Sequence, residues 1–294
     1  ILFFFIYRAL MRRSDKLTAG RRSAQGGLSL PLTRCGSVGW LALIGSGLFF
    51  VLTLLQYGCV LLSGFLKSKK GVYSFTLDHW NELWSIGASP VVRSVVYALI
   101  VAVVGTLFAA LFAYYMDRRR IPGRAFFDCI ATMPYMLPGT CFGIGYILAF
   151  NHAPLKLTGT AIIVLANMLF KQLPTSAKIC SATLAQLQPA QERSAQDLGA
   201  GRLAVIRDVV LPNMRPALLS CFVYNFTSSM TTAGAIIFLI DPSRQLAVFR
   251  LFDAVYRGDY ALASVLASVI TAIVLAVEGL VWLLSRKEGK RRVS

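Results

Sequence analysis

The sequence predicts an all-α fold, a polytopic membrane bundle of six transmembrane helices joined by polar loops. Of its 294 residues, 56% are hydrophobic and only 15% are charged, and the mean hydropathy is +0.63. A soluble chain of this length needs much more polar surface. Long apolar runs recur along the chain, and most basic residues lie in every second segment between them. These observations indicate that the bilayer is the solvent for most of the chain.

Six apolar runs are long enough to cross a bilayer, which requires roughly 20 residues at about 1.5 Å per residue. In chain order the runs are residues 40–66, 91–116, 125–150, 157–179, 217–240 and 260–284. They divide the chain into a truncated helix end and basic linker at 1–36, a first transmembrane helix with its outer loop at 37–89, a main transmembrane domain at 90–286, and a basic tail at 287–294.

The distribution of charge predicts the orientation of the chain. The net charge is +17, and 22 of the 30 lysines and arginines lie before the first run, between the second and third, from Lys171 to Arg215, and after the sixth. Segments rich in Lys and Arg stay in the cytoplasm. Both termini and the long loop between the fourth and fifth runs are therefore expected there. The alternation also argues against nucleic-acid binding, another common reason for a strongly basic chain.

The first seven residues are apolar, but they are too few for a spanning helix or a signal sequence. They lack an initiator methionine and run directly into Arg8, Arg12 and Arg13. We interpret them as the end of an earlier helix, and we hypothesise that the chain is a fragment whose upstream membrane half is missing. The Ser-, Gly- and Arg-rich tract at 16–34 then indicates a flexible cytoplasmic linker.

Helix breakers and polar residues mark the third, fourth and fifth runs. Pro134 and Pro138 interrupt the third run and Pro174 the fourth, and prolines at membrane depth free carbonyl groups that need partners inside the bundle. The fifth run carries a polar stripe at helical spacing. The candidate pathway-lining residues are Tyr135, Pro138, Asn225, Ser229 and Thr232. Two alternatives stay open, because such prolines also serve packing and such hydroxyls also hold helices together.

Several kinds of chemistry are missing from the sequence. Lys171 and Glu278 are placed toward cytoplasmic ends of their runs, so no run carries an ionisable group near its middle, which argues against an ion-coupled carrier. No phosphate-binding loop and no catalytic motif occurs. The six cysteines are scattered without a metal-ligand spacing. We therefore expect a transport subunit rather than an enzyme, with no metal and no cofactor of its own, that receives energy from another subunit.

The loop between the fourth and fifth runs is predicted to form two short amphipathic helices around a glycine joint. Leu184, Leu187, Gln191 and Ala195 or Leu198 share one helical face, Gly199 and Gly201 interrupt it, and Leu203, Ile206 and Val209 or Val210 resume it until Pro212. A structured polar loop of this kind suits docking of a soluble partner.

This loop resembles the EAA loop of the permease subunits of bacterial binding-protein-dependent ABC importers. The family pattern is EAA, three residues, Gly, nine residues, then I-x-L-P. The positions that match it or lie within it are Arg193, Ser194, Ala195, Asp197, Leu198, Gly199, Ala200, Leu211 and Pro212. Arg193 replaces the leading glutamate, and Glu192 precedes it. The role of that acidic group is therefore in question here, whereas the glycine and the Leu-Pro ending are kept.

The resemblance covers roughly residues 90–286 and implies the type I importer fold, with these loop residues in the surface that couples to the ATPase. It implies a multi-pass protein of the bacterial inner membrane that forms half of a translocation pathway. The implied partners are an ATP-binding subunit that holds the ATP, a periplasmic or lipid-anchored substrate-binding protein, a second permease half that is fused upstream or separate, and membrane lipid.

A narrower resemblance concerns the cargo. Residues 229–238, Asp241-Pro242 and 258–263 are similar to the carboxy-terminal halves of fused ferric-iron permeases and of 2-aminoethylphosphonate permeases. This similarity implies ferric iron as the first expectation for the substrate, and a phosphonate or another small solute as the alternative. Two other classes stay as alternatives to the importer: a channel or secondary carrier, and a membrane scaffold whose loop recruits a soluble protein.

Overall fold

The computed structural model describes residues 37–69, 72–86, 88–119, 122–152, 154, 156–241 and 244–291. The predicted helix end and basic linker at 1–36 lie outside the described residues, and so does the end of the basic tail. The chain divides into two compact units between Tyr57 and Gly58.

The described chain is mainly helical. The elements in chain order are α1 (Ser37–Ser63), β1 (Leu66–Lys69), β2 (Val72–Phe75), α2 (Asp78–Ile86), α3 (Ser89–Arg118), α4 (Arg124–Met136), α5 (Gly139–Phe150), α6 (Ala161–Leu184), α7 (Pro189–Asp197), α8 (Arg202–Ala204), a π-helical turn (Val205–Val210), α9 (Leu211–Asn213), α10 (Arg215–Thr231), α11 (Ala247–Tyr256) and α12 (Tyr260–Arg291). The two strands pair antiparallel, with Leu66 opposite Phe75, so a small hairpin departs from the predicted all-helical fold.

Three helical segments in the described part of the chain are long and apolar enough to cross a membrane: Gly39–Ser63, Ser89–Arg118 and Tyr260–Ser285. A fourth span is reached if α4 and α5 are counted as one broken span. The structure therefore supports a multi-pass membrane protein but does not by itself reach the six crossings that the sequence predicts.

The third predicted run is not one straight helix. α4 and α5 meet at an angle of 115°, and the break falls at Leu137 and Pro138, which are both extended. Proline disfavours helical backbone in the residue before it, so Leu137 leaves the helix. Pro134 stays inside α4 without ending it. Hydropathy alone predicts residues 125–150 as a single span.

The fifth predicted run also ends early. α10 stops at Thr231, and turns replace the helix up to Ile240. The Thr231 hydroxyl donates to the Thr227 carbonyl at 3.0 Å and the Thr232 hydroxyl to the Ser228 carbonyl at 2.5 Å. These side chains occupy carbonyl groups of the last turn, and Thr232 adopts an extended conformation.

The core of the second unit forms where α3 packs against both α6 and α10. The contact face of α3 is built from small residues that are buried: Ala98, Ala102, Gly105, Ala109, Ala110 and Ala113. Small side chains allow helix backbones to approach closely inside a membrane, where packing rather than water exclusion drives association. This three-helix core fixes the ends of α3, α6 and α10, and the predicted loop lies at those ends.

Candidate functional site

The predicted loop forms two helical pieces joined by a glycine. The first piece is α7, and the second runs from α8 through the π-helical turn to α9. Gly199 lies between them with φ of 88°, a left-handed conformation that favours glycine. The Gly199 amide donates to the Gln196 carbonyl and the Ala200 amide to the Ala195 carbonyl, which closes the end of α7. Leu184 belongs to α6 instead of the first loop helix, which is a correction to its predicted place.

One face of the loop is buried against α3, α6 and α10. Val205, Ile206 and Val210 are buried in a cluster with residues of α3, α6 and α10. Ala195 and Ala200 pack against the same cluster from the glycine joint. Any displacement of the loop therefore acts on three helix ends at once.

The opposite face of the loop carries unusually exposed leucines. Leu198 is 90% exposed and Leu203 is 80% exposed. Both lie outside the apolar runs, where an exposed leucine faces water rather than lipid. Arg193, Ser194 and Asp197 are exposed as well. Exposed apolar side chains among exposed polar ones are typical of a protein contact surface. We call Arg193, Ser194, Asp197, Leu198 and Leu203 the docking face. Leu211 and Pro212 are only half-buried and lie at its far end, in α9.

An ion pair joins the loop to α3. Arg118 Nε lies 2.9 Å from Glu192 Oε1, and the Tyr114 hydroxyl donates to Glu192 Oε2 at 3.2 Å. Arg118 also donates to the carbonyl oxygens of Leu184 and Leu187, at 2.9 and 2.7 Å. In the sequence Glu192 stands out only as the neighbour of Arg193. In the structure Glu192 turns inward to α3, while Arg193 stays on the surface.

A second ion pair in the loop lies on the surface. Arg207 Nε is 2.7 Å from Asp208 Oδ1, with most of both side chains exposed. The hydrogen bond from Arg207 holds the pKa of the Asp208 carboxyl below its usual value. Because the pair is exposed and adjacent in sequence, it adds surface charge to the loop rather than stability.

Two of the candidate pathway residues are used to hold helices together. Asn225 is 1% exposed. It accepts from the Ser176 hydroxyl at 2.7 Å and donates to the Thr106 hydroxyl at 3.2 Å. The side chains of Ser229 and Gln172 hydrogen-bond at 2.9 Å. These bonds connect α10 to α3 and α6 and agree with the alternative role left open for the polar stripe.

The other three candidates lie near the breaks in the third and fifth runs. Tyr135 and Pro138 are exposed and Thr232 is half-buried. The Lys171 ammonium group lies close to Gly139, the residue after Pro138, although the sequence predicted it toward the cytoplasmic end of its run. It is the eleventh residue of the 24-residue helix α6, so it lies thirteen residues, or roughly 20 Å, before Leu184. The helix therefore carries an ionisable group near its middle.

The structure brings two of the six cysteines together. Cys180 and Cys221 are buried with their sulfur atoms 3.7 Å apart, in the part of the α6 and α10 contact that lies near the loop. In the described residues no three side chains of His, Cys, Asp or Glu come close enough to hold a metal ion.

A known protein family matches the part of the chain that contains this loop. Residues 102–288 match the family described as the inner membrane component of binding-protein-dependent transport systems. The chain belongs to this family. Its members are transport components rather than enzymes, and they lie in the inner membrane. The expected permease of a bacterial binding-protein-dependent ABC importer is thereby confirmed.

Curated relatives of this permease carry different cargo names. The ferric transport system permease protein FbpB of Actinobacillus pleuropneumoniae is 30% identical over 236 residues, covering 79% of this chain and 34% of that protein. The sulfate transport system permease protein CysT of Salmonella typhimurium is 29% identical over 268 residues, covering 85% and 94%. A putative 2-aminoethylphosphonate permease, PhnV of Salmonella paratyphi A, is 25% identical over 236 residues, covering 79% and 89%. The permease thus spans about a third of the length of the ferric relatives it matches.

A solved structure confirms the fold. The crystal structure of a bacterial ABC transporter involved in alginate import superposes with a TM-score of 0.67 at 17% identity, covering 84% of this permease and 94% of that chain. At this identity the similarity concerns the fold alone. It shows a mainly helical architecture similar to that of ABC importer permeases.

Proposed function

We propose that this chain forms half of the translocation pathway of an ATP-driven importer and couples it to a separate ATPase. The observation that carries the proposal is the docking face. Its exposed leucines stand on a loop whose other side is buried against the ends of α3, α6 and α10. A subunit that bound Leu198 and Leu203 could therefore move three helices of the bundle. The chain itself would need no cofactor, since ATP would be held by the partner.

The proposed topology has six crossings with both termini in the cytoplasm. The crossings would be α1, α3, the bent pair α4 and α5, α6, α10 with the turns that follow it, and α12. The alternation of basic segments supports this orientation. It puts the docking face in the cytoplasm, where an ATPase is available.

The proposed partners are an ATP-binding subunit, a periplasmic or lipid-anchored binding protein, a second permease half and membrane lipid. The family description itself includes a binding protein. One solved alginate transporter is in complex with an alginate pentasaccharide-bound periplasmic protein, which supports a binding protein here too.

For the cargo we propose ferric iron first, because a ferric permease is 30% identical over 79% of this chain. A small oxyanion is the second candidate, and it is favoured by the sulfate and phosphonate relatives. A channel or a secondary carrier would need no ATPase, and a scaffold would give no uptake, so ATP-dependent uptake separates the importer from all three.

The experiment replaces the two exposed leucines. In membranes that contain the complete transporter, L198D with L203D should abolish co-purification of the ATPase and ATP-dependent uptake while leaving the amount of inserted permease unchanged. The matched control is L77D, because Leu77 is also more than half exposed but lies in the loop before α2. ATPase retention by the double variant would refute the docking face.

A further inference from the structure

Lys171 occupies a position where a charged group is expensive. It lies near the middle of α6 and is half-buried. Ionisable residues at membrane depth are rare, and they face the bundle interior or a water-filled path. In the described part of the chain the Lys171 side chain makes neither an ion pair nor a hydrogen bond.

The ammonium group of Lys171 lies next to the third and fifth runs, at the points where their helices are interrupted. A methyl group placed on Gly139 would lie 3.2 Å from Lys171 Nζ and 3.2 Å from the backbone nitrogen of Ala235. Gly139 is the first residue of α5, and Ala235 lies in the turns that follow α10. The lysine is therefore placed where both interrupted runs come together.

This junction is open and positively polarised. Pro138 and Gly234 are exposed, and a side chain at Gly234 would have no atom within 4 Å. α5 is twelve residues long, and no side chain caps its amino-terminal end. Uncapped backbone amides at a helix start favour negative charge. The ammonium group and the helix start thus attract the same kind of ligand.

We propose that Lys171, with the start of α5 and the backbone at Gly234, forms an anion-binding site in the translocation path. This inference rests on the proposed function and names the charge of its cargo. The cargo passes the site as an anion, either a sulfate- or phosphonate-type oxyanion or a negatively charged ferric complex. The chemistry shared by both is a set of anionic oxygens, which a lysine ammonium pairs with.

The first test measures the local charge without any cargo. G234C introduces a thiol beside the site. Its reaction rates with an anionic and with a cationic methanethiosulfonate reagent are measured in membranes, and the rates of the native cysteines in the parent protein are subtracted. Adding K171Q should lower the anionic-to-cationic rate ratio by about tenfold, whereas K171R should keep it. An unchanged ratio would overturn the proposal, since the ammonium group would then point elsewhere.

The second test measures transport by the complete transporter with three probes: sulfate, 2-aminoethylphosphonate and ferric citrate. K171Q should lower uptake of the transported probe at least about tenfold while ATP hydrolysis and assembly persist, and K171R should restore most of the uptake. K178Q is the matched control, because Lys178 is exposed two turns further along α6. Wild-type uptake by K171Q would overturn the anion site.

The three probes distinguish an oxyanion cargo from an anionic iron complex. Together with the thiol test, they also distinguish failure of the proposed import function from failure of the anion site. Loss confined to sulfate or the phosphonate would identify an oxyanion path, and loss confined to ferric citrate an anionic iron complex. If the wild-type transporter hydrolyses ATP but imports nothing with any cargo, the proposed function fails, while the thiol rate ratio still decides whether Lys171 charges the junction.

Discussion

Arg118 Nε and Glu192 Oε1 lie 2.9 Å apart, with 17% and 12% of the two side chains exposed. Arg118 belongs to α3 and Glu192 to the first loop helix, so this pair fastens the loop to a membrane-spanning helix. Arg118 adds two hydrogen bonds to carbonyl oxygens at the end of α6 and just after it. One guanidinium group therefore links α3, α6 and α7.

The first prediction concerns this link. R118M should lower stability by about 1–3 kcal/mol, because it leaves Glu192 without its ion-pair partner and two carbonyl groups without their donor. E192Q keeps the shape of the carboxyl group and should cost less. Thermal unfolding in detergent and ATP-dependent uptake measure both effects. R207Q should change neither, since the Arg207 side chain is exposed and its ion pair lies on the surface. Equal losses for R118M and R207Q would contradict the link.

The glycine joint gives the second prediction. G199A should destabilise the loop by roughly 1–2 kcal/mol, because Gly199 has a φ of 88° that side-chain-bearing residues avoid. Association with the ATPase, measured by co-purification, should weaken in step. G201A is the matched control, since Gly201 has a φ of −66° and open space around it. The idea of a conformational joint fails if the two variants behave alike.

The third prediction concerns the contact between α5 and the turns after α10. G143A should disturb this contact, because a methyl group on Gly143 would collide with the carbonyl oxygen of Ala235. A collision with backbone cannot be relieved by a side-chain rotation, so the unfolding temperature and uptake should both fall. G145A meets no atom within 4 Å and should be neutral. A neutral G143A would show that the two segments are further apart than described.

The fourth prediction tests whether Asn225 holds helices together. N225A removes the partner of Ser176 and Thr106. Interhelical hydrogen bonds in membranes contribute about 0.6 kcal/mol on average and up to about 1.7 each, so a loss of about 1–3 kcal/mol is expected. S228A, on the neighbouring face of α10, is the control. If N225A left stability intact but changed cargo selectivity, the pathway role would be the better one.

Hydropathy and spacing predicted much of this architecture. The positions of α1, α3 and α12 follow from apolar length, and the loop with its joint at Gly199 follows from amphipathic spacing around a glycine. The role of the loop residues from Arg193 to Pro212 in ATPase coupling stays a prediction.

The remaining features depend on the direction of the chain in space and on contacts between residues that are far apart in sequence. Hydropathy sums do not show the direction of a chain, so the bend at Leu137 and the early end at Thr231 were missed. Lys171 was grouped with the loop charges because the end of its helix was set too early. The inward turn of Glu192 depends on Arg118, which lies 74 positions away in sequence.

The sharp bend between α4 and α5 also bears on how the protein is made. At thirteen and twelve residues, each half measures roughly 20 Å and is shorter than the hydrocarbon core of about 30 Å. Neither half can leave the insertion machinery as an independent span. We expect this segment to stay there until α6 has been synthesised and can pack beside it. Insertion of the α4 and α5 pair would then depend on synthesis of the next helix.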